Sequence, residues 1–156
     1  MIRAILACDN DWGIGKDGDL PWPHNPADLK WFKEKTLGGV VVMGGKTWRS
    51  LPRKPLPNRE NVVITRRDDI EADVVVDMDS AVKILPQMNF TNDVWIIGGA
   101  QIVKSLLPYI DEVWLSRISG TYNCDTFLPR SLIEELFTLT TSEKQNDVYV
   151  EVWEKR

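Results

Sequence analysis

The sequence predicts an α/β domain in which a mostly parallel, twisted sheet carries helices on both faces. Its 156 residues suffice for one domain, residues 1–156, with an apolar core of its own. Short, nearly all-apolar segments alternate with helical segments through the first two thirds, as in parallel strands buried on both faces. Nearer the C-terminus, apolar and polar residues alternate instead, which predicts strands that pair antiparallel at one edge of the sheet.

The elements follow from local signals in chain order. An apolar strand over residues 2–8 leads into a loop over 9–23. Asn25 is a good N-cap and Pro26 a good first residue for a helix that runs to about Leu37. Further strands are predicted at 40–43, 61–65, 73–76 and 94–97, helices at 46–51, 80–85 and 101–107, and the antiparallel strands at 112–118 and 148–153.

Composition and charge exclude several classes of function. A hydrophobic content of 43% is ordinary for a soluble protein, and a net charge of −4 argues against general nucleic-acid binding. No apolar run reaches membrane-spanning length, so no membrane association is expected. Cys8 and Cys124 are predicted to be free thiols in a reducing cytoplasm. With His24 the single histidine, no metal site is expected.

The segment 20–32 places one carboxylate, Asp28, on the otherwise apolar face of a short helix. Trp31 and Phe32 lie three and four residues further on, so Asp28 sits above them. One interpretation is a helix-start acid that suits the helix dipole and resembles a capping box with Asn25. The other is a partly desolvated carboxylate with a raised pKa and an acid–base or cation-binding role. The local sequence leaves both open.

Two apparent nucleotide-binding motifs fail on inspection. Residues 13–18 fit G-x-G-x-x-G, but the prolines at 21 and 23 prevent the helix that this fingerprint needs, so we predict a mobile loop. Residues 45–47 resemble the end of a Walker A motif. That motif requires a glycine where Val40 stands, so the chain is not a P-loop NTPase.

Two glycine pairs, at 44–45 and 98–99, each lie between a buried strand and a helix start. Backbone amides at two such helix starts can hold a diphosphate, and glycine permits its close approach. Each pair taken alone could equally serve only to turn the chain. Two pairs on one sheet favour a bridging dinucleotide.

Basic residues stand near these glycines in the sequence. Lys46, Arg66 and Arg67 fall at the ends of neighbouring strands, where an additional phosphate would need positive charge. Arg59, in a loop before a strand, is placed to bind a carboxylate. A solvated basic loop is the alternative for all four.

Motifs along essentially the whole chain recur in order in one family. They are Ile14-Gly15, Leu20-Pro21-Trp22, the run 26–32, Met43-Gly44, Thr47-Trp48, Leu56-Pro57 with Arg59, the run 97–100, and Asp125-Thr126 through Pro129. The sequence thereby resembles dihydrofolate reductase of the bacterial and phage type. The resemblance implies an eight-stranded, mostly parallel sheet with an antiparallel C-terminal edge, in agreement with the pattern above.

The resemblance also implies residue roles. Catalytic roles fall on Asp28, Leu20 and Trp22. The implied substrate-binding residues are Ile5, Asp28, Leu29, Phe32, Leu51, Leu56, Arg59, Ile97 and Ser116. The implied cofactor-binding residues are Ala7, Ile14, Gly15, Leu20, Gly45, Lys46, Thr47, Thr65, Arg66, Gly98, Gly99, Ala100, Gln101, Ile102 and Thr126. A cis peptide bond is expected between Gly98 and Gly99.

The implied activity is NADPH-dependent reduction of 7,8-dihydrofolate to 5,6,7,8-tetrahydrofolate, with hydride transfer to pterin C6 and protonation at N5. It supports thymidylate and one-carbon metabolism in the cytoplasm, and the implied enzyme is a monomer inhibited by antifolates. Asp28 would bind the pterin 2-amino group and N3, while water admitted by the Leu20 loop protonates N5.

Two positions depart from the family pattern. Gly45 stands where many members carry a basic residue against the 2′-phosphate, and Val103 replaces a tyrosine beside the nicotinamide. Two alternative functions are considered. One is the pyrimidine reductase of riboflavin synthesis, which shares the fold and cofactor but not the pattern around Asp28. The other is a non-enzymatic structural module. A structural module would not require Asp28, Arg59 and both glycine pairs together.

Overall fold

The computed structural model describes residues 1–145 and 147–156. Its strands are β1 Ile2–Cys8, β2 Gly13–Gly15, β3 Val40–Gly44, β4 Glu60–Ile64, β5 Val74–Val76, β6 Val94–Gly98, β7 Glu112–Arg117, β8 Thr126–Phe127, β9 Phe137–Gln145 and β10 Val148–Lys155. Its helices are α1 Pro26–Thr36, α2 Gly45–Ser50, α3 Met78–Met88, α4 Ala100–Leu106 and α5 Arg130–Leu136, with a 3₁₀ turn at Leu107–Tyr109.

Eight strands form one sheet in the order β5-β4-β3-β6-β1-β7-β10-β9. The six strands from β5 to β7 pair in parallel. Strand β10 is antiparallel to both β7 and β9, which forms the predicted edge. The eight-stranded, mostly parallel architecture implied by the motifs is confirmed.

The sheet separates two apolar clusters because side chains along a strand point alternately to its two faces. In β1, Ile2 and Ala4 belong to the larger cluster, which also holds buried residues of α3 and α4. Ile5 belongs to the second cluster, together with Trp31 of α1 and Trp48 of α2. Helices therefore cover both faces, as the apolar strands predict. Among the described residues, no helix has the length and apolar character needed to cross a membrane.

Helix α1 begins where the sequence predicts. The side chain of Asn25 accepts a hydrogen bond of 3.1 Å from the backbone N–H of Asp28, and Pro26 is the first helical residue. The cap fixes Asp28 in the first turn, on the side of the helix that approaches the sheet. The acid's position therefore follows from local sequence alone.

Four elements lie outside the predicted set: β2, β8, α5 and β9. The short strands β2 and β8 are far apart in the sequence, with Gly13 opposite Phe127 and Gly15 opposite Thr126, so no local periodicity marks them. Strand β9 pairs on one side only and exposes most of its side chains, so it lacks apolar alternation. Helix α3 extends beyond the predicted 80–85 at both ends, and its true N-cap is Asp77, which accepts from Ser80 N–H at 2.8 Å.

Asn61 is a buried polar residue that organises the loop before β4. Its side chain accepts from Leu56 N–H at 2.9 Å and donates to the carbonyls of Leu56 and Arg59 at 3.0 and 3.1 Å. We expect Asn61→Leu to lower the free energy of unfolding by about 3 kcal/mol, because three backbone groups lose their partner. Urea denaturation measures this change.

An exposed control is available in Asn92, whose substitution by Leu should alter the free energy of unfolding by no more than about 0.5 kcal/mol. If Asn61→Leu were as mild as Asn92→Leu, the loop would not depend on the Asn61 hydrogen bonds.

Candidate active site

The two glycine pairs come together at the carboxyl ends of the neighbouring strands β3 and β6. A side-chain carbon at Gly44 would lie 2.9 Å from Ile102 of α4, so glycine permits this close approach. The hydroxyl of Thr47 in α2 lies 3.6 Å from the corresponding position at Gly98. The bond between Gly98 and Gly99 is cis, as expected. The starts of α2 and α4 are therefore adjacent, which is the geometry that a bridging diphosphate needs.

A basic cleft of about 540 Å³ lies beyond the ends of β4 and β5. It is lined by Thr65, Arg66, Arg67, Asp68, Ile70, Val75, Val76 and Asp77. Arg67 donates two hydrogen bonds to Asp69, at 3.0 and 2.7 Å, so much of its charge is already compensated. Of the predicted phosphate contacts, Thr65 and Arg66 line the cleft, whereas Lys46 lies exposed at the start of α2.

Most of the predicted apolar substrate contacts share one cluster. Within the second apolar cluster, Phe32, Leu51, Leu56 and Ile97 pack as partly buried side chains against the buried residues, which include Ile5. Leu29 on α1 is the one predicted apolar contact outside this cluster, and it is 46% exposed. The cluster offers apolar walls that remain accessible from one side.

Asp28 faces this apolar cluster from α1 and is itself partly buried. Burial raises the pKa of its carboxyl, and the hydroxyl of Ser116 opposes that rise. The Ser116 side chain is buried, and its Oγ has no hydrogen-bond partner with standard geometry among the described residues. A desolvated carboxyl group next to a buried hydroxyl is a site that can bind a polar or cationic group. The first-turn cap alone does not account for this environment.

Arg59 lies partly buried at the end of the loop that Asn61 orders. Its Nε donates to the carbonyl of Pro57 at 3.0 Å, and its Nη1 donates to Thr36 Oγ1 at 3.1 Å. Desolvation lowers the pKa of its guanidinium, and no described carboxylate lies within ion-pair distance of it. An arginine held by neutral partners keeps its charge available for an anionic ligand.

Part of the loop over residues 9–23 forms regular structure. Gly13 and Gly15 pair with β8, which places Thr126 opposite Gly15. Beyond them, the backbones of Lys16 and Asp19 exchange hydrogen bonds of 2.9 and 3.0 Å around a tight turn. The interpretation that residues 13–18 are not a dinucleotide fingerprint is confirmed, because this hairpin replaces the helix that such a fingerprint requires.

The outer part of this loop presents one exposed and one buried side chain. Leu20 is 58% exposed, whereas Trp22 is buried and packs edge-to-face on Tyr122, with ring centroids 6.2 Å apart. Trp22 can therefore anchor the loop while Leu20 remains free to cover a ligand.

Asp9 anchors the root of the same loop and was not among the predicted residues. It is 1% exposed and accepts from the N–H groups of Asp11, Gly13 and Tyr122 at 2.9, 2.8 and 3.1 Å. The thiol of Cys124 also donates to it, at 3.3 Å. Burial by itself would raise the pKa of Asp9, but these hydrogen bonds hold it below its usual range. The sequence gives no signal for this arrangement, because two of the donors lie more than 110 residues away.

The remaining predicted contacts fall on three elements. Ala7 stands on β1 directly opposite Ser116 of β7. Ala100 and Gln101 open α4, and Val103 in the same helix is fully buried in the larger apolar cluster. Ile14 packs against that cluster from β2. These contacts lie at or just beyond the carboxyl ends of β1 and β6, where open α/β sheets bind ligands, whereas Arg59 lies just before β4.

Comparison with known proteins agrees with this geometry. The family model described as dihydrofolate reductase matches residues 1–152. The dihydrofolate reductase of Bacillus subtilis is 38% identical over 144 residues, which span 92% of this chain and 84% of that protein. That of Haemophilus influenzae is 39% identical over 134 residues, which span 86% of this chain and 82% of that protein.

A solved structure gives the same result. The dihydrofolate reductase from Enterococcus faecalis, complexed with NADP(H) and RAB-propyl, superposes with a TM-score of 0.78 at 32% sequence identity. The match covers 99% of this chain and 96% of that one.

Proposed function

The chain belongs to the dihydrofolate reductase family, and we propose that it catalyses the NADPH-dependent reduction of 7,8-dihydrofolate to 5,6,7,8-tetrahydrofolate. The observation that carries this proposal is the partly buried Asp28 carboxyl with its raised pKa, next to the buried Ser116 hydroxyl. The glycine pairs on β3 and β6 lie at the same end of the sheet. This arrangement supports a pterin site next to a dinucleotide site.

The residues of the glycine-lined edge fit NADPH. A side chain at Gly44 would fill the space against Ile102, and the Thr47 hydroxyl lies 3.6 Å from where a side-chain carbon at Gly98 would be. We propose that the amides at the start of α4 and the Thr47 hydroxyl hold the diphosphate, with Lys46 nearby. Thr65 and Arg66 would hold the 2′-phosphate in the basic cleft. When bound, NADPH supplies the hydride that reduces C6 of the pterin.

Asp28 supports this reaction electrostatically. Its carboxylate would bind the pterin N3 and 2-amino group, which fixes the ring against the apolar walls formed by Phe32 and Leu56. A negative charge in this desolvated position stabilises the protonated form of the substrate, so N5 accepts a proton more readily. Water that enters past Leu20 supplies that proton, and closure of the loop then excludes bulk water from the site.

We propose further that residues 1–156 act as a monomeric catalytic domain in the cytoplasm, where its product supports thymidylate synthesis and one-carbon metabolism. Both cysteines are free, which suits a reducing compartment. Antifolates that present a cationic diaminopyrimidine group would bind opposite Asp28 for the same electrostatic reason as the protonated pterin.

The proposal is tested by following the loss of NADPH absorbance with and without 7,8-dihydrofolate. Turnover that depends on dihydrofolate supports it. Oxidation of NADPH only with a phosphoribosylamino-uracil, whose ribosyl group is reduced to ribityl, would instead identify the pyrimidine reductase of riboflavin synthesis. Binding of NADPH without turnover of either substrate would identify a non-enzymatic module.

Cofactor preference provides a separate prediction. Because Lys46 and Arg66 present positive charge that no described acidic side chain pairs with, we expect kcat/KM to be at least about tenfold higher with NADPH than with NADH, since one charge-assisted contact contributes about 1.5–3 kcal/mol. Steady-state kinetics with both cofactors measures the ratio. Equal values would show that these side chains point away from the 2′-phosphate.

A further inference from the structure

The space above Gly45 is occupied by an arginine from the same helix. A side-chain carbon at Gly45 would lie 3.3 Å from Nη1 of Arg49, 3.5 Å from Thr65 Oγ1 and 3.8 Å from Ile70 Cδ1. Gly45 begins α2 and its φ lies outside the left-handed region, so its backbone does not require glycine. The absence of a side chain at position 45 therefore leaves room that the Arg49 guanidinium fills.

This position puts the Arg49 guanidinium at the rim of the basic cleft. Thr65 and Ile70, which border the same space above Gly45, are both among the residues that line the cleft. The charge of Arg49 also reaches Asp69 on the far side of the Arg67 pair, where it adds to the effect of Arg67 in lowering the pKa of that carboxyl. Arg49 is thus close enough to act on an anion bound in the cleft.

The charges in the cleft leave few free cations. Arg67 is engaged by Asp69 through two hydrogen bonds, and Asp68 and Asp77 add negative charge to the lining. Among the described residues, Arg66 and Arg49 have no ion-pair partner within 4.0 Å, whereas Arg67 does. A phosphate monoester carries a charge between −1.5 and −2 near pH 7, roughly what two guanidinium groups neutralise.

We propose that Arg49 is a specificity-determining residue that contacts the 2′-phosphate of NADPH from above Gly45, opposite Arg66. The inference rests on the proposed function, because it assigns a contact within the same cofactor site. With this contact, Arg49 and Arg66 bind the phosphate from two sides even though position 45 is glycine. Arginine suits this role because its planar group can donate two parallel hydrogen bonds to one phosphate.

The test compares Kd values for NADPH, NADH and 2′-AMP, measured by isothermal titration calorimetry on the full chain. Arg49→Ala is expected to weaken NADPH and 2′-AMP binding about tenfold and to leave NADH within about twofold, since one charge-assisted contact is lost. Arg49→Lys should give an intermediate loss for NADPH. The matched control is Arg53→Ala, which removes an exposed arginine from the following loop and should change none of the three.

A variant that moves the positive charge from position 49 to position 45 makes the test more specific. Because a side chain at position 45 would meet only the flexible end of Arg49 closely, Gly45→Arg combined with Arg49→Ala should restore most of the preference for NADPH over NADH. Recovery in this double variant supports a direct charge contact.

Two outcomes would overturn the inference while leaving the proposed function intact. One is unchanged NADPH affinity in Arg49→Ala. The other is an equal loss for NADPH and NADH, which would make Arg49 a structural residue of α2. If the unaltered protein bound neither NADPH nor 2′-AMP, both the inference and the proposed function would be wrong.

Discussion

Asp28→Asn is expected to reduce dihydrofolate turnover at pH 7 by about 10²–10⁴-fold, the usual contribution of a positioned acid–base group. Asn resembles Asp in shape but carries no charge that can stabilise a protonated pterin. NADPH binding should remain unchanged, because the glycine pairs lie on other elements. Steady-state kinetics combined with an NADPH titration separates these two effects.

The pH dependence identifies the role of the carboxylate. Activity of Asp28→Asn should recover as the pH falls, since the substrate then arrives already protonated. In the unaltered protein, the rate of the hydride step should fall as pH rises, with an apparent pKa above the value of about 3.9 for a free Asp. That apparent pKa belongs to the coupled pair of acid and substrate.

Asp28→Asn should change the free energy of unfolding in the direction opposite to that expected for loss of a helix cap. Because the pKa of Asp28 is raised in the folded state, the folded protein binds its proton more tightly, and the free energy of unfolding falls as pH rises above about 4. Asn removes this titration. Asp28→Asn should therefore be at least as stable as the unaltered protein at pH 7, whereas loss of a helix-start charge alone would destabilise it.

Glu34→Gln is a matched control for Asp28→Asn, because it neutralises an exposed acid on the same helix. It should change neither turnover nor its pH profile. Near-normal turnover in Asp28→Asn at pH 7 would reduce Asp28 to a helix-start residue and would remove the basis of the proposed mechanism.

Arg59→Ala should raise the KM for dihydrofolate about 10- to 100-fold with little change in kcat. In the proposed complex the guanidinium would contact a carboxylate of the substrate and not the reacting ring, and loss of such a charge-assisted contact removes about 1.5–3 kcal/mol of binding. A pterin substrate without a carboxylate tail should be nearly unaffected. Arg53→Ala, in the same loop, should leave both parameters unchanged.

The Arg59 prediction fails if kcat falls with the same factor as kcat/KM, because the side chain would then act in the transition state. It also fails if the tail-less substrate loses as much affinity as dihydrofolate. In that case Arg59 would support the loop through Thr36 and Pro57 without contacting the substrate.

A structural feature could be predicted from the sequence when neighbouring residues cause it. The start of α1 follows from Asn25 and Pro26, and the central strands follow from their unbroken apolar runs. The two glycine pairs could be placed at one edge because parallel strands end together. Closeness in sequence is not always enough, however. The partner of Arg67 is Asp69, two residues away, and this pairing depends on the conformation of the loop.

The site residues that escaped prediction depend on contacts that no local sequence pattern marks. Asp9 receives its donors from Tyr122 and Cys124 as well as from its own loop. Arg49 is distinguished from other exposed arginines only by its position above Gly45, in a space that Thr65 also borders. Neither residue has a sequence pattern of its own, so only the assembled backbone reveals what it contacts.

The hydrogen bonds around Asp9 constrain how this sequence can diverge. A side chain at Gly13 would collide with Cys124, and replacing Asp9 alone would leave the N–H groups of Gly13 and Tyr122 without their acceptor. Positions 9, 13 and 124 are therefore coupled. A single substitution at one of them lowers the stability of the fold, and a second substitution at another can restore it. Substitutions at these positions should appear together among viable relatives, so that the root of the loop changes by paired exchange.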